Sequence, residues 1–359
     1  MNITILGVGN AGSTVAADLT LKGHKVVLLK TSDKLHNEHY NYLTKHKKIT
    51  IEELGEEKTA NIFEVTTDYS KALTRETELI IIYVQTNFHE DIIKKIAPFI
   101  HDNQMIMFEP GYLSTAYLLK YIDKNIVSIE AESSPIDCRI TRPGHCTVLF
   151  KNVRNPVGIY PSNKADDTLK KLESLKYNFT KLDSVIEAAL HNPNLIVHTV
   201  GAIMSVPRIE YSKGEYWMYK EVFTPKVWNL VEKLDEEKMS VLEAMGLKKV
   251  RYVDACKFRN FMDDDIDATS AFFDYAYNHS PKGPSVPDSR YITEDVSQGL
   301  CLLESLGKFL NVETKITTSL IDISSALLNY NFREDGRNLK KLESKYLNTV
   351  IKDTMQSVF

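Results

Sequence analysis

Long apolar runs are missing from this sequence. The longest, Leu79-Ile-Ile-Ile-Tyr-Val84, suits a buried strand and falls far short of the ~20 residues a bilayer-spanning helix needs. Cysteine is scarce. Cys138, Cys146, Cys256 and Cys301 are widely spaced and form no C-x-x-C pair, which argues against a zinc site or a disulfide scaffold and favours reduced thiols in a cytoplasmic protein. Charge of one sign never accumulates. The net charge is -4 and no long basic or acidic run occurs, so neither a nucleic-acid nor a membrane partner is expected. The first strand signal starts at residue 2, so no signal peptide is expected ahead of it. Internal repeats and low-complexity segments are absent too.

What is present is ordinary globular composition: 359 residues, 43% hydrophobic and 26% charged. That length suits two domains of about 150 residues or more each. The chain opens on a short apolar run, Ile3 to Leu6, followed by Gly7-Val-Gly9-Asn10-Ala11-Gly12. A helical stretch follows to about Gly23, then a second strand, Lys25 to Lys30. In a strand-glycine-helix-strand unit the first glycine permits the tight turn. The second lets the backbone approach a pyrophosphate, and the third lets helix and strand pack closely. The helix N-terminus then holds the phosphate charge. The context makes G-x-G-x-x-G a strong dinucleotide signal, with Gly7, Gly9, Asn10, Ala11 and Gly12 as cofactor residues.

Lys30 ends the second strand, where NAD-binding sites carry an acid that accepts the ribose 2′-OH. A lysine cannot accept that bond. With Thr31 and Ser32 it suits a 2′-phosphate, which favours NADP; Asp33 keeps NAD open. A solvated lysine at a strand end is the plainer alternative. Further on, a hairpin is expected from Ile49–Leu54 and Asn61–Thr66 around the Gly55 turn. Strands are expected at 79–84, 105–108 and 126–133, and the strands at 146–150 and 157–160 are expected to extend the same sheet. This alternation predicts an α/β, doubly wound parallel sheet with ligands at the strands' carboxyl ends. Gln85, Thr86, Pro110 and Gly111 fall there, as nicotinamide and substrate contacts or as polar helix starts.

Strand signals stop near residue 180. From Ser184 the pattern is helical, over 184–206, 225–246, 266–277, 296–310 and 316–329. The expected organisation is a Rossmann domain over 1–180 and an all-α substrate domain over 181–359, with a small-molecule site in the cleft that such a pair leaves.

Two stretches carry candidate chemistry. In His191-Asn192-Pro193-Asn194, proline starts a helix and turns the chain just before it, so His191 sits on a bend where an acid/base group can be aimed. A capping or core histidine is the alternative. His198, seven residues on, falls on a similar face and reads as structural. In Arg290-Tyr-Ile-Thr-Glu294-Asp295-Val, Arg290 suits a carboxylate, and Asp295 suits the orientation of a histidine. Acids in a helix's first turn would also explain Glu294.

Together these stretches resemble the octopine/nopaline (opine) dehydrogenase family. The resemblance rests on Gly7-x-Gly-Asn10-x-Gly12, Ala131-Glu132 with Cys138-Arg139, His191-Asn-Pro-Asn194, Arg290-Tyr-x-x-Glu-Asp295-Val and Gly336-Arg337-x-Leu339, and it covers nearly the whole chain. It implies reduction by NAD(P)H of the imine between a 2-oxo acid, often pyruvate, and an amino acid. It places the catalytic histidine on His191, its partner on Asp295 and the arginine on Arg290, with Asn194 near the substrate. Ser297, where the family usually has proline, and Lys30 are departures. Two rivals are a ketopantoate reductase-like enzyme that needs no amine and a non-enzymatic NADP(H)-binding redox sensor. A homodimer is compatible with the long helical half, though no interface signal stands out.

Overall fold

A computed structural model describes the backbone of residues 1–358 and side chains through residue 356. The chain forms two compact units, Met1–Val185 and Ile186–Phe359.

The first unit is built on twelve strands: β1 (Asn2–Leu6), β2 (Lys25–Leu29), β3 (Lys48–Glu53), β4 (Glu56–Asn61), β5 (Glu64–Thr66), β6 (Leu79–Ile82), β7 (Met105–Phe108), β8 (Val127–Ala131), β9 (Ile136–Arg142), β10 (His145–Lys151), β11 (Asn155–Tyr160) and β12 (Phe179–Lys181). Eight of them form one sheet in the order β12-β11-β8-β7-β6-β1-β2-β5. Every neighbour is parallel except β8 and β11. The run β5-β2-β1-β6-β7-β8 has the doubly wound order of dinucleotide-binding sheets, which reverses next to β1. Continuous apolar strands suit a sheet covered on both faces, and Ile5, Leu6, Ile80 and Ile82 are wholly buried.

Helix α1 (Asn10–Leu21) connects β1 to β2. Gly9 precedes it without a side-chain cap, and no acid stands in its first turn. It ends where the Lys22 and Gly23 amides bond back to the last turn, with Gly23 at φ +88.

Two expectations are corrected in this unit. The hairpin is β3 with β4, not with Asn61–Thr66: Leu54 and Gly55 both take positive φ, and this tight turn pairs Glu53 directly with Glu56. Glu64–Thr66 then leaves the hairpin and extends the main sheet beside β2. The strand around Cys146–Phe150 does not extend the main sheet. It lies in a separate four-stranded sheet of order β4-β3-β10-β9, parallel to β3 and antiparallel to β9. The alternating β9 and the short β12 were not expected at all.

His39 ties α1 to this second sheet. Its Nδ1 accepts from the Gly144 amide at 3.1 Å, so its Nε2 carries the proton and lies 3.1 Å from Ser13 Oγ. Burial, aided by nearby His36, lowers its pKa to about 4. The folded state therefore resists a proton that the unfolded chain takes up near pH 6.5. The stabilisation is complete above that pH and is lost as pH falls toward 4, by about 3 kcal/mol in all. Urea unfolding of wild type and His39→Gln across this range checks it, and the variant should show a flatter acid limb.

The second unit is helical throughout. The helix Asn194–Met204 is its centre, buried along nearly its whole length. Around it pack Met218–Val222, Pro225–Ala244, Arg290–Thr293 and Lys315–Leu328, with the turn Asp295–Leu300. Pro193 starts the central helix, and the Asn192 side chain caps it by accepting from the Asn194 amide at 3.0 Å.

Candidate active site

In the first unit the glycines have the close contacts that the motif needs. Gly7 has φ +119, and a Cβ there would stand 2.4 Å from the Tyr83 carbonyl oxygen. A Cβ on Gly12 would stand 2.0 Å from the Gly7 carbonyl oxygen. Gly9 is different: its nearest neighbour is His36 Nε2, at 3.4 Å from an added Cβ. Gly7 and Gly12 thus hold the turn and the helix packing, while Gly9 keeps the approach to the α1 N-terminus clear. Asn10 anchors the loop by accepting from the Ile140 amide of β9 at 2.9 Å, and Ala11 is partly buried beside it. With uncapped amides and no acid in the first turn, this cradle fits the pyrophosphate of a dinucleotide.

Lys30 and Thr31 follow β2, and Gln85 and Thr86 follow β6, all at the carboxyl edge of the sheet. Gln85 is exposed, whereas Thr86 is 1% exposed. Pro110 and Gly111 lie past β7, but Gly111 is pressed on a buried carboxylate: a Cβ there would meet Glu130 Oε2 at 2.1 Å. Glu130 fixes this turn by accepting from the Leu113 and Thr115 amides, each at 2.8 Å.

In the second unit Asp295 meets a histidine, but not the expected one. Asp295 Oδ2 lies 2.9 Å from Nδ1 of His198. The His198 ring stacks on Tyr291, with centroids 3.8 Å apart and planes 5° apart. Asp295 is 1% exposed. A carboxylate on Nδ1 makes that nitrogen the donor and leaves Nε2 as the ring's acceptor. Tyr291 itself rests with Tyr219 on a cluster of Ile209, Tyr216, Met218 and Val222.

His191 closes the preceding helix instead, donating its amide to the Glu187 carbonyl at 2.9 Å. Its ring is buried, neither nitrogen has a hydrogen-bond partner, and Glu187 Oε1 is 3.7 Å from Nε2. Burial lowers its pKa. The expected His191–Asp295 pair is thus corrected to His198–Asp295. The chain turns at Asn192-Pro193, so the seven-residue spacing is not one continuous helix, and only His198 lies on the helix packed against Asp295.

Arg290 begins the short helix that carries Tyr291, and its Nε pairs with Glu294 Oε2 at 3.1 Å. Its side chain is 52% exposed. Asn194 stands at the first turn of the His198 helix.

Sequence reasoning missed the conformation of Asp295–Leu300, a π-helical turn with every residue buried. Such turns recur at functional sites. The Gly336-Arg337 motif braces it. The Arg337 amide donates to the Ser297 carbonyl at 2.8 Å and its Nε to Gln298 Oε1 at 3.1 Å. A Cβ on Gly336 would stand 2.7 Å from the Ser297 carbonyl oxygen. Ser297 Oγ donates to the Thr293 carbonyl at 2.8 Å. Among the described residues no cluster of His, Cys, Asp and Glu could hold a metal, and no helix is long and apolar enough to cross a membrane.

A dinucleotide cradle on a doubly wound sheet, followed by a helical unit with a buried His–Asp pair, defines a pyridine-nucleotide oxidoreductase. Residues 181–328 match the family described as NAD/NADP octopine/nopaline dehydrogenase, alpha-helical domain, and residues 3–125 match ketopantoate reductase PanE/ApbA. The helical half of the chain is thus similar to octopine/nopaline dehydrogenases. It is 28% identical to an opine dehydrogenase of Arthrobacter sp. (strain 1C) over 359 residues, covering 94% of each chain. Its fold is shared with octopine dehydrogenase in complex with NADH and agmatine (TM-score 0.76, 16% identity, 98% of each chain). It is also shared with NADP+-bound yersinopine dehydrogenase (TM-score 0.73, 13% identity, 100% of this chain and 98% of that one).

Proposed function

We propose that this protein is an opine dehydrogenase: it condenses a 2-oxo acid, pyruvate foremost, with the amino group of an amino acid and reduces the resulting C=N bond with NAD(P)H. The observation that carries this reading is the His198–Asp295 pair, with Nε2 available beside Tyr291. Relatives support it: the Arthrobacter protein is an opine dehydrogenase, and octopine dehydrogenase has been solved with NADH and either L-arginine or pyruvate.

The bound cofactor supplies the hydride. Gly7, Gly9, Asn10, Ala11 and Gly12 hold its pyrophosphate, with Lys30, Thr31, Gln85 and Thr86 along the same sheet edge. His198 Nε2 takes a proton from the amino acid's ammonium group, which frees the nitrogen to attack the oxo carbon. The imidazolium then returns that proton to the carbinolamine hydroxyl, which leaves as water. Asp295 holds the ring in the tautomer this needs and offsets its positive charge. Arg290 exchanges Glu294 for a substrate carboxylate, and Asn194, at the first turn of the His198 helix, is a second substrate contact. His191 keeps a supporting place at the bend before it.

The match of residues 3–125 to ketopantoate reductase favours a second reading, an oxo-acid reductase that needs no amine. Cofactor oxidation measured with pyruvate alone and with pyruvate plus an amino acid panel separates the two, and the proposal expects oxidation only when both substrates are present. Turnover of either kind excludes a purely sensory role. A cytoplasmic setting fits four cysteines without a disulfide, three of them buried.

A further inference from the structure

Beside the glycine loop the first unit gathers positive charge without an acidic partner. Lys30, directly after β2, is 7% exposed. Its Nζ donates to the Ser32 carbonyl and lies 5.5 Å from the Tyr40 ring centroid. Among the described residues no carboxylate pairs with it. Six residues on, His36 takes the left-handed backbone region at φ 55, ψ 33, which is costly for a residue with a side chain and recurs at ligand-binding sites. The turn brings its ring back to the loop, with Nε2 3.4 Å from the position of a Gly9 Cβ. No hydrogen bond satisfies that ring among the described residues. His36 is solvent-exposed, and partial desolvation with the Lys30 ammonium holds its pKa below the usual histidine value.

A ribose 2′-OH at the end of β2 needs an acceptor, and Lys30 offers only donors. A 2′-phosphate, with a charge of about -1.5 to -2 at neutral pH, suits this place. We propose that His36 and Lys30 together bind the adenosine 2′-phosphate of NADPH, and that His36 takes up a proton as the phosphate binds. The anion reverses the electrostatics at His36, from a ring beside a lone cation to a ring beside a dianion. This inference rests on the dinucleotide reading of the loop and adds the residue that makes cofactor choice depend on pH.

Other charged groups surround His36. Asp33 and Lys34 lie exposed on its own loop and Glu38 on the helix that follows. Arg142 of β9 lines the same groove as His36. His39, also on that helix, stays neutral down to about 4.

The test is direct binding of NADPH and NADH to the full-length protein, by ligand fluorescence at about pH 6 and about pH 8, in wild type and His36→Asn. Wild type should favour NADPH by tenfold or more (~10) at the lower pH and lose most of that advantage at the higher. His36→Asn should bind NADH as wild type does, with a small NADPH preference that does not shrink. The phosphate's own second ionisation acts in the opposite direction and equally in both proteins, so the difference between them is the readout. Calorimetry in two buffers of unlike ionisation heat should show extra proton uptake by wild type with NADPH only. Equal affinity of wild type for both dinucleotides, or the same pH dependence in His36→Asn, overturns the assignment. Binding of neither dinucleotide would instead overturn the reading of the glycine loop.

Discussion

Replacing His198 by alanine is expected to lower kcat/KM for the condensation by about 10²–10⁴-fold, the range of a lost general acid/base. The effect should fall mainly on kcat, because Nε2 moves protons while other residues hold the substrates. Asp295→Asn should cost nearly as much although the ring stays in place, since an amide neither fixes the donor at Nδ1 nor offsets the imidazolium charge. The double variant should be little worse than either single one, as groups acting as a unit are not additive. His191→Ala tells the two histidines apart. Its ring has no hydrogen bond to lose, so it should change stability and leave kcat within about tenfold of wild type. Steady-state kinetics on the four variants, with circular dichroism to confirm folding, check this. The reverse ranking, with His191→Ala silent in folding and dead in turnover, would return the catalytic role to His191.

The second large effect is expected at Gly12. A methyl group there would sit 2.0 Å from the Gly7 carbonyl oxygen, a backbone atom of the turn itself. Gly12→Ala must push α1 away from β1. At about 3 kcal/mol, the upper end of overpacking costs, that displacement weakens dinucleotide binding by roughly 100-fold and lowers the melting temperature too. Gly9→Ala is the contrast. Its methyl meets only the His36 ring, at 3.4 Å, so the fold should keep its stability while cofactor affinity drops because the methyl stands where the phosphate must approach. Melting curves with and without cofactor separate the outcomes, since a ligand that binds the folded state raises the midpoint.

Local signals were legible in the sequence where one stretch of chain decides the structure. The glycine loop, the strand-helix-strand around it and the change to helices near 180 follow from turn chemistry and hydrophobic period. The second sheet was not legible, because the partners of Cys146–Phe150 are Ile136–Arg142 and a hairpin nearly a hundred residues earlier. Nothing local distinguishes joining that sheet from extending the main one. The histidine that meets Asp295 was misplaced for a related reason. His191 and His198 differ in which helix face meets Asp295, and this depends on the bend at Pro193 and on a π-helical turn held from a distance by Gly336 and Arg337. Arg337, wholly buried, gave no local sign of its burial, because its acceptors lie about forty residues earlier, at Ser297 and Gln298.

The account stands most directly on the requirement for an amine. Cofactor oxidation is followed by nicotinamide absorbance with pyruvate alone, with each amino acid alone and with both, and the product's mass is read. The account predicts no oxidation by either substrate alone and, with both, a secondary amine joining the two carbon skeletons. Oxidation by the 2-oxo acid alone, at the full rate and giving a hydroxy acid, would contradict it.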